Sequence, residues 1–76
     1  MNHEFRVRVL KSIVDHASYR LMLAEMDIAK AKELVERVRN QARLLLPNEI
    51  ETYDLIYHSR LTRLVDQFIR SKQFAG

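Results

Sequence analysis

Apolar residues recur along the first half of the chain at alternating steps of three and four. The stripe runs from Val7 to Leu45 without a slip, and neither Gly nor Pro interrupts it. This spacing keeps one apolar seam on one side of an α-helix, so it predicts a single long helix over about residues 3–45. The seam residues of its larger, amino-terminal part are Val7, Leu10, Val14, Ala17, Leu21, Ala24, Ile28 and Ala31.

Helix-breaking signals converge after this stretch, at Pro47. Proline has no amide hydrogen to continue a helix, and Asn48 with Glu51 three residues later has the pattern of a capping box. We therefore expect a turn at residues 46–48 and a second helix over about residues 49–72. So short a connection makes the two helices antiparallel neighbours. The second helix has its own apolar stripe, formed by Ile50, Tyr53, Tyr57, Leu61, Leu64, Val65 and Phe68.

The two predicted helices differ in length, and the difference predicts an assembly. The first is roughly 65 Å long and the second roughly 36 Å, at the rise of an α-helix. The second helix covers only the half of the first that lies near the turn. Leaving the rest of the seam in water is costly, so we expect a homodimer in which two hairpins form a four-helix or coiled-coil-like bundle.

A three-helix bundle is the alternative architecture. It needs a break near residues 15–18, where Ser18 is a suitable residue to begin a new helix. A turn normally resets the helical phase, yet the apolar positions stay in step through this segment. The long hairpin is therefore favoured. Both architectures are all-α and make residues 1–76 a single domain.

Composition excludes several classes of protein. The chain has 76 residues and no Cys, which rules out disulfides, thiolate zinc sites and Cys nucleophiles. The charged start has no apolar run of the kind found in secretory signals, and the longest apolar run is only Leu21–Ala24. We therefore expect a cytoplasmic protein with no membrane partner. The formal net charge of +3 permits nucleic-acid binding without requiring it.

Motifs of catalysis are missing from the sequence. His3, His16 and His58 are far apart, no zinc-binding or di-iron spacing occurs, and no internal glycine is present to cradle a phosphate. The sequence therefore predicts no catalytic residue, no cofactor, no metal and no small-molecule substrate. Asp54 and His58 lie four residues apart on the second helix, and we interpret them as a local ion pair.

A second apolar face lies outside the main seam, in the middle of the predicted long helix. It consists of Tyr19, Met22, Leu23 and Met26. A helix that is apolar nearly all round is buried on more than one side. This face is therefore either the centre of the dimer or a docking surface for another protein, since methionine side chains adapt easily to partners.

A line of cations is predicted on the outer side of the second helix. Arg60, Arg63 and Arg70 recur at helical spacing and could contact nucleic-acid phosphates, although such a line is also typical of a solvated face. The sequence favours a small non-enzymatic interaction module, a regulator or adaptor that acts through helix–helix contacts as a homodimer. The alternative is a nucleic-acid-associated regulator that uses this basic face.

Overall fold

The computed structural model describes residues 2–70, and this part of the chain forms three helices and no strand. Helix α1 spans His3–Leu23 and helix α2 spans Ile28–Leu45. Helix α3 is the helical segment over residues 50–70. The all-α class and the turn near residues 46–48 are confirmed. The single helix over residues 3–45 is wrong, and the expected end of the last helix at residue 72 lies outside the described residues.

The turn between α1 and α2 is made by four residues. Ala24 has left-handed backbone angles, φ 55° and ψ 39°, and its N–H donates to the carbonyl of Leu21 at 3.1 Å. The carboxylate of Asp27 then accepts a hydrogen bond of 2.9 Å from the N–H of Lys30 and begins α2. The three-helix alternative was right about the number of helices. Its break near residues 15–18 is wrong, because α1 continues through that segment.

The second turn differs in detail from the predicted capping box. Leu46 donates its N–H to the carbonyl of Ala42 at 2.8 Å, and a 3₁₀ turn over Pro47–Glu49 follows. Asn48 therefore lies inside this turn, and α3 begins without a side-chain cap. His3 Nε2 lies 2.8 Å from Glu49 Oε1. This contact brings the start of α1 next to the turn before α3, as expected for three helices that run alternately up and down.

The predicted dimer seam forms the core of a single chain. Five of its eight residues are buried, Ala24 and Ile28 pack against the core from partly buried positions, and Val7 is exposed. The first turn folds α1 back so that α2 and α3 both pack on it. The greatest extent of the molecule is 46 Å, well short of the predicted rod of roughly 65 Å. The seam therefore needs no second copy to cover it, and the homodimer itself stays a prediction. The five buried seam residues are Leu10, Val14, Ala17, Leu21 and Ala31.

Helix α3 is wound more widely than an ordinary α-helix in two places. Its turns over Asp54–His58 and Val65–Arg70 are π-helical. The core-facing residues recur at every fourth position, and steps of four drift by about 40° each in a regular α-helix. The extra residue in each wide turn offsets this drift. As a result Ile69 is buried, which the predicted stripe missed, and Phe68 is only partly buried. The inward positions are Tyr53, Tyr57, Leu61, Val65 and Ile69.

Replacing Ala24 by Gly tests the first turn. Glycine adopts positive φ without the steric cost that alanine bears, so we expect Ala24→Gly to raise the free energy of unfolding by about 1 kcal/mol. In a continuous helix over residues 3–45 the same change would lower it by about 1 kcal/mol. Urea denaturation followed by circular dichroism measures whether the free energy of unfolding rises or falls.

Ala29→Gly is the matched control for this change. Ala29 is exposed within α2, five residues beyond Ala24. There the substitution should lower stability, by up to about 1 kcal/mol. Destabilisation by both variants would contradict the left-handed turn.

Candidate functional site

Three large apolar side chains are exposed together at the carboxyl end of α1. Tyr19, Met22 and Leu23 are 59%, 48% and 45% exposed. Residues three and four apart are neighbours on a helix, so Met22 and Leu23 both lie beside Tyr19. Met26 follows in the turn, where it is partly buried against the core. We call these four residues, which were the predicted docking residues, the apolar end.

Folding of the bundle does not use this exposed apolar surface. Leu21, which precedes Met22, is fully buried instead and completes the buried stripe of α1. Exposed apolar area is unfavourable in water, at about 25 cal/mol per Å². Single exposed apolar residues are common, whereas neighbouring ones that rim a groove are typical of binding surfaces. The apolar end is therefore a candidate binding surface.

A groove of about 410 Å³ lies between α1 and α2. Its floor is apolar, formed by side chains that are buried or partly buried. Its walls are polar, formed by exposed side chains that include two guanidinium groups, one from each helix. The floor residues are Ile13, Ala17, Leu34 and Val38, and the wall residues are Ser12, His16, Arg20, Arg37 and Gln41.

This groove continues to the apolar end through two smaller depressions. The first shares Arg20, Leu34 and Arg37 with it and adds Met26, Lys30 and Glu33. The second is lined by Arg20, Leu23, Glu25 and Met26. Arg20 therefore lines all three. We call the three together the α1–α2 track, which joins a cationic groove to part of the apolar end.

The cations of the α1–α2 track have little compensation. Within residues 2–70, Arg20 and Lys30 form no salt bridge. Arg37 lies 3.6 Å from Glu33, but both side chains are well exposed, and such pairs contribute little. No carboxylate lines the 410 Å³ groove itself. The two smaller depressions contain one carboxylate each, Glu33 and Glu25, so the positive charge available to an anionic ligand is concentrated in the 410 Å³ groove.

The grooves on the other two faces of the bundle have a different character. The groove between α2 and α3 balances two cations, Lys32 and Arg70, with two carboxylates, Glu36 and Asp66. The groove between α1 and α3 is mainly apolar and its charged lining residue is Glu49. Among these grooves, the uncompensated positive charge is concentrated between α1 and α2.

Sequence reasoning missed the meeting of Arg20 and Arg37. In one straight helix these residues would be about 25 Å apart along the axis. The turn at residues 24–27 places them on the two walls of one groove. The available signal was Asp27, which is a favourable helix-starting residue but has no Gly or Pro near it.

The predicted basic face of α3 is exposed, as expected. Arg60, Arg63 and Arg70 all point away from the core. Arg70 Nε, however, pairs with Asp66 Oδ1 at 3.1 Å, and Arg60 lies 6.0 Å from the centre of the Tyr57 ring. Over residues 50–70 these three arginines are matched by three carboxylates, those of Glu51, Asp54 and Asp66. A role of this face in nucleic-acid binding stays a prediction.

A polar cluster joins α2 to α3. Arg39 donates two hydrogen bonds to the carboxylate of Asp54, at 2.8 and 2.9 Å, and this pairing holds the pKa of Asp54 below its ordinary value. Asp54 therefore forms a bidentate ion pair with Arg39 of α2 in place of the expected ion pair with His58. Burial raises the pKa of Tyr53 to about 12. Among the described residues, the hydroxyl of Tyr53 and Nδ1 of His58 are buried without a hydrogen-bond partner.

Two further properties bear on the kind of site. Within residues 2–70, no three His, Asp or Glu side chains come together in a way that could hold a metal ion. None of the helices formed by these residues combines the length and apolarity needed to cross a membrane.

No protein-family model matches the chain, and neither a curated protein nor a solved structure matches it.

Proposed function

We propose that this chain is a small non-enzymatic protein–protein interaction module, a regulator or adaptor that binds a helix of another protein through its apolar end. The observation that supports the proposal is the joint exposure of Tyr19, Met22 and Leu23 beside a groove. Large apolar side chains that the fold does not need are the usual anchors of protein interfaces.

The geometry of the apolar end suits a helical partner. Its three exposed residues occupy little more than one turn of α1, so they present a compact ridge. The depression that holds Met26 and Arg20 also reaches α2, and a further helix packs naturally into a groove between two helices. Met22 and Met26 have flexible side chains that adapt to the shape of the partner.

Selection from a displayed library of helical peptides tests the proposal. We expect the wild-type chain to retain peptides whose binding weakens about tenfold or more when Leu23 is replaced by Glu, because a buried charge is placed against their apolar anchors. Met22→Glu should have a similar effect. Fluorescence anisotropy of the retained peptides measures the affinities.

Leu55→Glu is the matched control. Leu55 is an apolar residue on α3 that is more exposed than Leu23, and it lies outside the apolar end and its grooves. This variant should bind the peptides as the wild type does, and thermal melts should show that all three variants fold. Equal loss in Leu55→Glu, or no retained peptide that depends on Leu23, would refute the proposal.

Sedimentation of the wild-type chain examines the predicted homodimer. The covered core no longer requires a second copy, so we expect a monomer at micromolar concentration. A dimer that Leu23→Glu dissociates would assign the apolar end to a second copy of the chain. That outcome would overturn the proposal of a different partner protein.

A further inference from the structure

We propose that the α1–α2 track binds an acidic amphipathic helix, whose apolar face meets the floor of the track and whose carboxylates meet its cationic walls. This inference rests on the proposed function and specifies the chemistry of the partner. It is carried by the convergence of Arg20 and Arg37 on one groove that leads to Leu23 and Met26.

The positive charges of the walls favour a ligand with negative charge. Arg20 and Arg37 reach the groove from opposite helices, and Lys30 lies next to both in the adjoining depression. A guanidinium group donates in a fork that matches a carboxylate. Since the groove has no carboxylate of its own, an acidic ligand gains pairs there and displaces only the exposed Arg37–Glu33 pair, whereas a basic ligand meets repulsion.

The floor of the track distinguishes an acidic peptide from a nucleic-acid backbone. Ile13, Ala17, Leu34 and Val38 make the bottom of the groove apolar, and its far end opens to Leu23 and Met26. A phosphate backbone has nothing apolar to place there, and the track offers no aromatic platform for bases. An acidic amphipathic helix has apolar residues for the floor and carboxylates for the walls, because its apolar residues recur on one side with acidic residues flanking them.

The length of the track sets the length of the ligand. Along α1 it extends from Ser12 to Leu23, and along α2 from Lys30 to Gln41. Each of these spans is about 16 Å, or three helical turns. The ligand is therefore a helix of about three to four turns, and the repeated helical spacing of its anchors fixes its register.

Designed peptides of about 15 residues, long enough for four turns, provide the test. The first carries leucines at helical spacing flanked by glutamates. The second replaces the glutamates by lysines, and the third replaces the leucines by serines. A single-stranded DNA of the same charge as the first peptide is the phosphate probe. Each is labelled with fluorescein, and anisotropy measures its affinity for the chain.

We expect the leucine–glutamate peptide to bind more tightly than the other three probes. Arg20→Glu and Arg37→Glu should each weaken it about tenfold or more, because each replaces an attractive pair by a repulsive one. Arg63→Glu makes the same change of charge on the exposed surface of α3 and should leave the affinity close to that of the wild type. Binding should also weaken as salt is raised.

Each contrary result overturns a different step. Tighter binding of DNA that depends on Arg20 would assign the track to phosphate. If the lysine peptide bound as tightly as the leucine–glutamate peptide, the track would not select its ligand by charge. If the serine peptide did so, the track would be an anion site that makes no use of its apolar floor. Sensitivity to Leu23→Glu without sensitivity to Arg20→Glu would refute this inference and leave the proposed function standing. The reverse pattern would refute the proposed function. No binding by any of the designed peptides would refute this inference, while the library selection still decides the proposed function.

Discussion

Leu61→Ala should leave most of the chain unfolded at room temperature. Leu61 is fully buried in the middle of α3, and removing a buried leucine side chain costs roughly 2–5 kcal/mol through lost burial and the cavity that remains. A core in a chain of this size supplies only about 3–5 kcal/mol in total. Urea denaturation, followed by circular dichroism, measures the loss.

Leu55→Ala is the control for this result. Leu55 lies on the same helix and is 79% exposed, so the same chemical change should alter stability by less than about 0.5 kcal/mol. The midpoint of the wild type should also be independent of protein concentration, because the core closes within one chain. A midpoint that rises with concentration, or equal losses in the two variants, would contradict the self-contained bundle.

The stability of the chain should fall between pH 10 and pH 12 because of Tyr53. Its pKa is raised from 10.0 to about 12, mainly by burial, so the unfolded chain loses this proton at a lower pH than the folded chain does. The contribution of the neutral phenol is complete below pH 10 and is lost as the pH rises through the folded value. A shift of this size corresponds to about 2–3 kcal/mol.

Tyr53→Phe isolates this titration. The variant should lack the Tyr53 part of the alkaline loss, and near neutral pH it should be more stable by about 1 kcal/mol, because the buried hydroxyl has no partner among the described residues. Tyr19→Phe, at an exposed position, should keep the wild-type profile. Urea midpoints across the pH range provide the data, and identical profiles for the wild type and Tyr53→Phe would contradict the assignment.

Apolar spacing predicted most of the residues of α1 and α2 that face inward, although it missed Leu34 and included the exposed Val7. Leu10, Val14, Leu21 and Val38 all belong to the predicted stripe, and all are buried. What spacing could not predict is whether the partner surface lies in the same chain. The stripe keeps its phase through Ala24, and this residue makes the turn in a conformation that usually requires glycine. Neither Gly nor Pro therefore marks this turn in the sequence, and its available sign is the helix-starting residue Asp27.

Contacts between helices account for most of the remaining differences. Asp54 pairs with Arg39, fifteen residues earlier, rather than with His58 on its own helix, because a bidentate guanidinium is the stronger partner. Likewise the wide turns of α3 bring Ile69 inward, which a regular helical repeat does not predict. The sequence predicted the apolar face that forms the apolar end, but it left open whether this face is the centre of a dimer or a docking surface. The cationic groove could appear only after α1 and α2 were known to be separate helices.

The apolar stripe stays in phase across the first turn, so two copies of this chain could exchange their first helices. Were residues 24–27 to straighten, the inner faces of α1 and α2 would still line up on one side of a rod. Two such rods could exchange their first helices by domain swapping. Each core would then contain α1 from one chain packed on α2 and α3 of the other, with the same contacts between helices. The hydrogen bond from Ala24 to Leu21 and the Asp27 cap oppose such an exchange, whereas the left-handed backbone of Ala24 favours it, because alanine prefers the right-handed helix.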